Sequence, residues 1–191
     1  DAMALGWGWE HTANKAREFR PDLVVVLATT PTFPNDAAFV RFLRQSLETR
    51  IALVGTHVTA LPSESLTQSG ADYVILGEAE PIVADLIDRW NQSERDIPGL
   101  AFRRDNETIL NRRRSFVEPL DDLPDPARDL LPLKRYTMPF TEGRPFVTVI
   151  PCRGCPFPCT FCRAGDVWGK KVRVRSPDRV VAELREVRER Y

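Results

Sequence analysis

Ahead of residue 152 the chain has no cysteine at all, and its four thiols all lie within Pro151–Cys162. That excludes a disulfide-stapled secreted fold, which scatters its cysteines through a small domain. Thiols gathered in one short loop point to a metal or cluster site in a reducing compartment, so the cytoplasm is the expected location. Long hydrophobic runs are also missing. The apolar stretches are short and broken by charge, which excludes a segment able to span a bilayer, and no signal peptide is recognisable. Neither sign of charge is in excess: 27 Lys and Arg face 27 Asp and Glu. Nothing in that balance asks for nucleic acid or a membrane surface as a partner. Internal repeats beyond a strand–helix alternation, and low-complexity segments, are absent too. What remains is ordinary for a soluble globular protein, with 42% hydrophobic and 28% charged residues.

The first ninety or so residues alternate between two patterns. Leu23–Ala28 is a continuous apolar run, as expected for a parallel strand buried on both faces. Asn35 or Asp36 can cap the helix that follows, in which Phe39, Phe42, Leu43 and Leu47 keep helical spacing. Ile51–Val54 and Tyr73–Leu76 read as further strands, ending at Gly55 and Gly77. A short helix opens at Pro62 and Ser63. A longer one has Pro81 in its first turn and buries Ile82, Val83, Leu86, Ile87 and Trp90. Glu10–Phe19 is a helix that stops before Pro21. Such alternation with short connections predicts a doubly wound parallel α/β sheet. Ligands of such sheets bind at the carboxyl ends of the strands, here Thr29–Phe33, Gly55–Val58 and Gly77–Glu80.

Beyond Asn91 the texture changes. Leu100–Arg104 and Thr108–Arg112 flank Asp105–Asn106, which predicts a hairpin. Glu118–Pro132, rich in Pro and Asp, reads as an irregular linker. Phe146–Ile150 returns as a buried strand. Ser176 caps a last helix with Pro177 at its first position and an apolar stripe of Val180, Val181, Leu184, Val187 and Tyr191. A strand, a functional loop and a helix make one βα unit of a barrel. Three regions follow: a sheet domain over 1–95, a linker with a hairpin over 96–144, and the start of a second domain over 145–191. The chain opens at Asp1 without an initiator methionine and stops at Tyr191 inside the expected helix. It is therefore expected to be a piece of a longer protein, its sheet lacking a first unit.

The cysteine loop carries the chemistry. Thiolates suit zinc, copper(I) and iron–sulfur clusters, so spacing must choose. A structural zinc site joins two C-x2-C knuckles a dozen or more residues apart, and here only three residues separate the pairs. Bacterial ferredoxins use a different order of gaps. What remains is C-x3-C-x2-C, formed by Cys155, Cys159 and Cys162, with Cys152 as an extra. Gly154 permits a tight turn beside the site, and Pro156 and Pro158 stiffen the loop.

That tripod, with Gly154-Cys-Pro-Phe, Phe161 before the last cysteine, and Trp168-Gly…Arg173-x-Arg175-Ser-Pro, resembles the radical S-adenosylmethionine (SAM) superfamily. The likeness is greatest to members with an N-terminal cobalamin-binding domain, among them the anaerobic magnesium-protoporphyrin ester cyclase and hopanoid-associated groups. Pro21-Asp-Leu-Val, Thr29-Thr-Pro-Thr-Phe, Gly55-Thr-His-Val-Thr-Ala-Leu-Pro and Gly77-Glu-Ala-Glu extend it over the sheet domain.

The resemblance implies a 4Fe–4S cluster on Cys155, Cys159 and Cys162, leaving one iron open to chelate SAM. The cleaved SAM starts methyl transfer or oxidative cyclisation at an unactivated carbon. It also implies a partial TIM barrel as the second domain, Phe161 beside the cluster and adenine, and cobalamin held by the strand-end loops. Thr29, Thr30, Gly55, Thr56 and His57 are the foremost contacts, with Gly77 and Glu78 behind them. The implied partners are a small-molecule substrate, tetrapyrrole or isoprenoid-like, and an electron donor such as flavodoxin or ferredoxin. The D-x-H-x-x-G motif that supplies an axial histidine in many cobalamin proteins is absent, and a packing role for His57 competes with cofactor contact. His11 falls on an expected surface helix and needs no special role.

Two other readings compete. Radical SAM methylthiotransferases place further cysteines in the N-terminal domain, and this chain has none there. A small iron–sulfur or zinc module for electron transfer or structure should use all four thiols.

Overall fold

A computed structural model describes all residues except Asn91 and Asn106. Its helices are α1 (Ala2–Leu5), α2 (Trp9–Phe19), α3 (Phe33–Ser46), α4 (Thr56–Ala60), α5 (Pro62–Ser69), α6 (Ala79–Asp88), α7 (Ala164–Trp168) and α8 (Pro177–Arg190). The strands are β1 (Leu23–Leu27), β2 (Arg50–Val54), β3 (Tyr73–Ile75), β4 (Leu100–Arg104), β5 (Glu107–Leu110), β6 (Cys152–Arg153) and β7 (Arg173–Val174).

Strands β1 to β5 form one sheet in sequence order. The first three are parallel, with Val24 opposite Ile51 and Ala52 opposite Tyr73. The hairpin β4–β5 then adds two antiparallel strands, Val74 pairing with Ala101 and Phe102 with Ile109. The sheet is thus mixed, and the hairpin is continuous with it. Of the expected turn, Asp105 sits in the left-handed region at φ 51°, and Asn106 lies outside the described residues.

Helices cover both faces, as the alternation predicts. On one side Phe33, Ala37, Val40 and Leu43 of α3 and Leu66 of α5 pack on Ile51, Leu53 and Val74. On the other, Ile82 and Leu86 of α6 and Ile97 pack on Ala52, Ile75, Leu100 and Phe102. Burying each such large side chain contributes about 1.5–3 kcal/mol.

Several expectations need correction. β1 lies at the sheet edge, and its Val25 and Leu27 are exposed, because α6 covers only the strands farther along. Helix α3 begins before Asn35, at Phe33, with Thr32 at its cap and Pro34 in its first turn. Ile87 is exposed, and Trp90 lies beyond the end of α6. Phe146–Ile150 forms no strand. Strand identity requires a hydrogen-bonded neighbour, and none pairs with it among the described residues. In place of a parallel βα unit, β6 and β7 form a short antiparallel ladder, with Cys152 opposite Val174 and Arg153 opposite Arg173. Ser176 does cap α8, accepting from the Arg179 N–H at 3.3 Å. The α8 stripe is largely exposed at Val181, Leu184 and Tyr191, whereas Glu183 is buried. Among the described residues no helix is long and apolar enough to cross a membrane.

Candidate functional site

The parallel strands deliver their loops to one end of the sheet. After β1 the Thr29 N–H and hydroxyl both meet the Thr32 hydroxyl, at 3.1 and 2.9 Å, folding Thr29–Thr32 into a tight turn ahead of α3. After β2, Gly55 has φ 121°, and a Cβ there would lie 3.1 Å from Leu27 Cδ1 and would overlap the Ala28 carbonyl. Glycine therefore lets the two loops lie side by side. Helix α4 follows at once, an element the sequence did not disclose. Its His57 stacks on Phe33 with centroids 4.1 Å apart and faces Thr30 Oγ1 through Nδ1 at 3.3 Å. The His57 Nε2 is buried without a partner.

These loops form one wall of a cavity of about 530 Å³, lined by Thr29, Thr30, Pro31, Thr56, His57, Ala60 and Leu61. The end of the cysteine loop, Phe161–Ala164, lines the same cavity. Four of the five foremost strand-end residues therefore come together with Phe161. Gly55 is not on the cavity wall and serves the turn behind it.

The cysteine loop springs from the β6–β7 ladder. Gly154 has φ 102°, and its α-carbon lies so close to Lys171 that a Cβ would be 2.8 Å from the Lys171 carbonyl carbon. The Cys155 N–H donates to the Gly169 carbonyl at 3.0 Å, the Cys162 N–H to the Cys159 carbonyl at 3.2 Å, and the Ala164 N–H to Cys162 Sγ at 3.5 Å. Cys152, Cys159 and Cys162 are exposed and Cys155 is half-buried.

Among the described residues no three His, Cys, Asp or Glu side chains are close enough to share a single metal ion. The donor set of three thiolates on a glycine-turned loop fits an iron–sulfur cluster, which is held by cysteine sulfur. Phe161 is 89% exposed, so its ring borders the cavity without covering the thiols.

Gly77 and Glu78 do not join the cavity. The Gly77 N–H donates to Thr59 Oγ1 at 3.2 Å. Glu78, 3% exposed, receives both terminal nitrogens of Arg173 at 3.0 Å, Arg153 Nη1 at 3.2 Å, and the Val117 N–H at 2.7 Å. Its carboxylate is fully committed to these partners. Arg153 also reaches Glu80 and lies over the Trp168 ring at 4.8 Å. Burial pushes the Glu80 carboxyl up, but the Arg153 hydrogen bond and charge outweigh it and leave it below the ordinary value of 4.5.

Arg153 and Arg173 were the residues that sequence reasoning passed over. The only local hint was an arginine inside the cysteine motif and another in the Arg-x-Arg run. Arg163, also missed, lines the cavity, and its Nε lies 2.7 Å from Asp166 Oδ2 without hydrogen-bond alignment. Arg113 spans from the Thr59 carbonyl on α4 to the Asp166 carbonyl on α7, at 3.1 and 3.2 Å.

A second buried network ties the proline-rich linker to α8. Arg128 pairs with Glu183, which also holds Arg175, and Arg175 and Arg179 share Asp125. The Asp125 hydrogen bond is the foremost cause holding the Arg175 guanidinium protonated above its usual range.

Residues 2–87 match the B12 binding domain family. Over 96% of its length the chain is 31% identical to an uncharacterized methyltransferase of Pyrococcus horikoshii, covering 40% of that protein. It is 28% identical, again over 96% of its length, to an anaerobic magnesium-protoporphyrin IX monomethyl ester cyclase of Cereibacter sphaeroides, covering 31% of it. The chain thus spans well under half of these curated relatives. Among solved structures, the cobalamin-dependent S-adenosylmethionine radical enzyme OxsB superposes on 98% of the chain with TM-score 0.80 at 16% identity, the chain covering 26% of it. TsrM of Kitasatospora setae, a radical S-adenosylmethionine methyltransferase with cobalamin and a [4Fe-4S] cluster bound, superposes on 98% with TM-score 0.75 at 14% identity, the chain covering 39% of it. At those identities the likeness is one of fold.

Proposed function

We propose, for a chain that carries a B12-binding domain and has the cobalamin-type radical SAM proteins as its relatives, that it houses two cofactors face to face. Cobalamin would lie on the strand-end loops, and a 4Fe–4S cluster would be held by Cys155, Cys159 and Cys162. The observation that carries this reading is the cavity lined by Thr29–Pro31 with Thr56–Leu61 and by Phe161–Ala164. Bound there, the cluster with SAM would supply reductive cleavage of a sulfonium bond, and cobalamin a methyl group or assistance to ring closure.

The chain's own residues do the rest. The hydroxyls of Thr29, Thr30 and Thr56 offer hydrogen bonds to an amide-fringed ring, and Phe161 and Leu61 offer apolar contact. Phe33 and Thr30 hold the His57 imidazole in place. Gly154 and the β6–β7 ladder preorganise the loop, so less entropy is lost when three thiolates close on iron. Cys152 stands outside the tripod; a fourth thiolate would take the iron position that SAM needs.

In the intact protein we assign this site to methyl transfer or oxidative cyclisation at an unactivated carbon of a small molecule, tetrapyrrole or isoprenoid-like. Electrons would come from a flavodoxin- or ferredoxin-like donor in the cytoplasm.

The test is anaerobic reconstitution of the intact protein with iron, sulfide and hydroxocobalamin, for wild type, Cys152→Ser and Cys155→Ala. A 4Fe–4S resonance that survives Cys152→Ser, vanishes in Cys155→Ala and changes with SAM is expected, together with stoichiometric corrinoid. A site that requires all four cysteines and ignores SAM would replace this reading with that of an electron-carrying or structural module.

A further inference from the structure

The acidic end of β3 and the arms of the cysteine loop are far apart in sequence and locked together in space. Glu78 is separated from Arg153 by 75 residues and from Arg173 by 95. The side chains of Glu78, Arg173 and Arg153 are 2%, 3% and 13% exposed, so these charges face one another with little water between them. Arg153 stands on β6, two positions before Cys155, and Arg173 is its partner across the ladder on β7. One carboxylate therefore grips both strands from which the cysteine loop springs. The same two arginines make further fixed contacts: Arg173 donates to the Val117 and Trp168 carbonyls, and Arg153 to Glu80.

Two acids and two guanidinium groups balance in charge, and forked arginine–carboxylate pairs fix direction as well as distance. Buried pairs of this kind contribute little net stability compared with an apolar contact of equal volume, but they select one arrangement over its alternatives. A ladder of two residues per strand could not by itself hold a loop in one orientation over the sheet.

We infer that Glu78 is a positioning residue: it sets the place of the cysteine loop over the strand ends, and so the spacing between the two cofactor seats. This rests on the two-cofactor reading above. It assigns to the Gly77-Glu-Ala-Glu motif the role of a clamp on the neighbouring loop, with no contact to the corrin.

The experiment uses the intact protein as wild type, Glu78→Gln, Glu78→Asp and Arg173→Lys, with Glu80→Gln as a milder comparison, since Glu80 is 41% exposed and, among the described residues, pairs with Arg153 alone. Hydrogen exchange is read first, without cofactors. In Glu78→Gln and Arg173→Lys, amides of residues 152–174 should exchange at least about tenfold faster, while β1–β3 stays as in wild type. Second, in loaded protein, the magnetic coupling between cobalt(II) and the reduced cluster reports their separation. Wild type should give one narrow distance. Glu78→Gln should broaden it with iron and corrinoid content unchanged, and Glu78→Asp should restore it in part. Unchanged exchange in both clamp variants overturns the inference, as does an unchanged narrow distance. A wild type that exchanges as described but loads neither cofactor would leave the clamp standing and remove the two-cofactor reading, and with it the spacing role. Should Glu78→Gln fail to fold, Arg173→Lys, which keeps the charge and loses the fork, decides the matter by the same two readings.

Discussion

Gly154 packs directly against the Lys171 carbonyl, with room for a hydrogen and none for a methyl group. Its backbone, at φ 102°, is also one that side-chain-bearing residues rarely adopt. Gly154→Ala is therefore expected to open the β6–β7 ladder, at a cost of about 3 kcal/mol or more from combined strain and overlap. Iron content after reconstitution should fall with it, while the far-ultraviolet dichroism of the sheet domain stays. Full iron loading in Gly154→Ala would contradict the described packing.

Glu183 lies among Arg128 and Arg175 with almost no exposed surface. Removing it takes from the buried Arg128 the acid it pairs with and leaves Arg175 to its contact with Asp125. Glu183→Ala should cost about 3–5 kcal/mol in chemical denaturation. The double replacement Glu183→Leu with Arg128→Met should recover much of that, because an apolar pair of similar volume carries no uncompensated charge. A single variant as stable as wild type would show that the network is wet.

Tyr73 gives a pH signature. Burial pushes its phenol up to about 12, and Glu94, which accepts its hydrogen bond at 3.2 Å, adds to the rise against an opposing Arg50 charge. The folded value stands above the ordinary 10.0, so folding favours the neutral phenol. That contribution is complete below pH 10 and is lost as pH climbs from 10.0 toward about 12. Tyrosinate absorbance should show one of the three tyrosines titrating late, and Tyr73→Phe should abolish that step.

Glu80 predicts behaviour at the acid side. Its carboxyl is lowered from 4.5 because the Arg153 hydrogen bond and charge overcome the effect of burial. The stabilisation is present above the ordinary value and disappears as pH falls through the lowered one. Limited proteolysis near the cysteine loop should therefore accelerate below about pH 4.5. Glu80→Gln should already show the faster cleavage at neutral pH.

Much of the sheet was legible because its signal is local. Ile51–Val54 and Tyr73–Leu76 are unbroken apolar runs, and burial on both faces follows from that alone. Leu23–Ala28 has the same look, and among the described residues it lies at the edge with Val25 and Leu27 exposed. That Thr29, Thr30, Thr56 and His57 line one cavity was legible because they follow strand ends, which the topology gathers at one end of the sheet. Glu78 follows a strand end too. Its ion pairs were not legible, because Arg153 and Arg173 lie 75 and 95 residues away, beyond the reach of any local pattern. On α8, Val181 and Leu184 have helical spacing and are exposed here, whereas burial of the charged Glu183 was not legible because its partners Arg128 and Arg175 are set by tertiary packing.

The hairpin that closes the sheet also orders events in time. Among the described residues, the five strands of the sheet are on the polypeptide by Leu110, before the four cysteines of Pro151–Cys162 have been made. Chains leave the ribosome from the N-terminus, and domains tend to fold as they emerge. Glu78 and the threonine turns can be in place when Arg153 and the thiols arrive. Reactive sulfurs would then meet a finished surface, with their arginine anchors drawn to a waiting acid, and spend less time as a free and oxidisable tail.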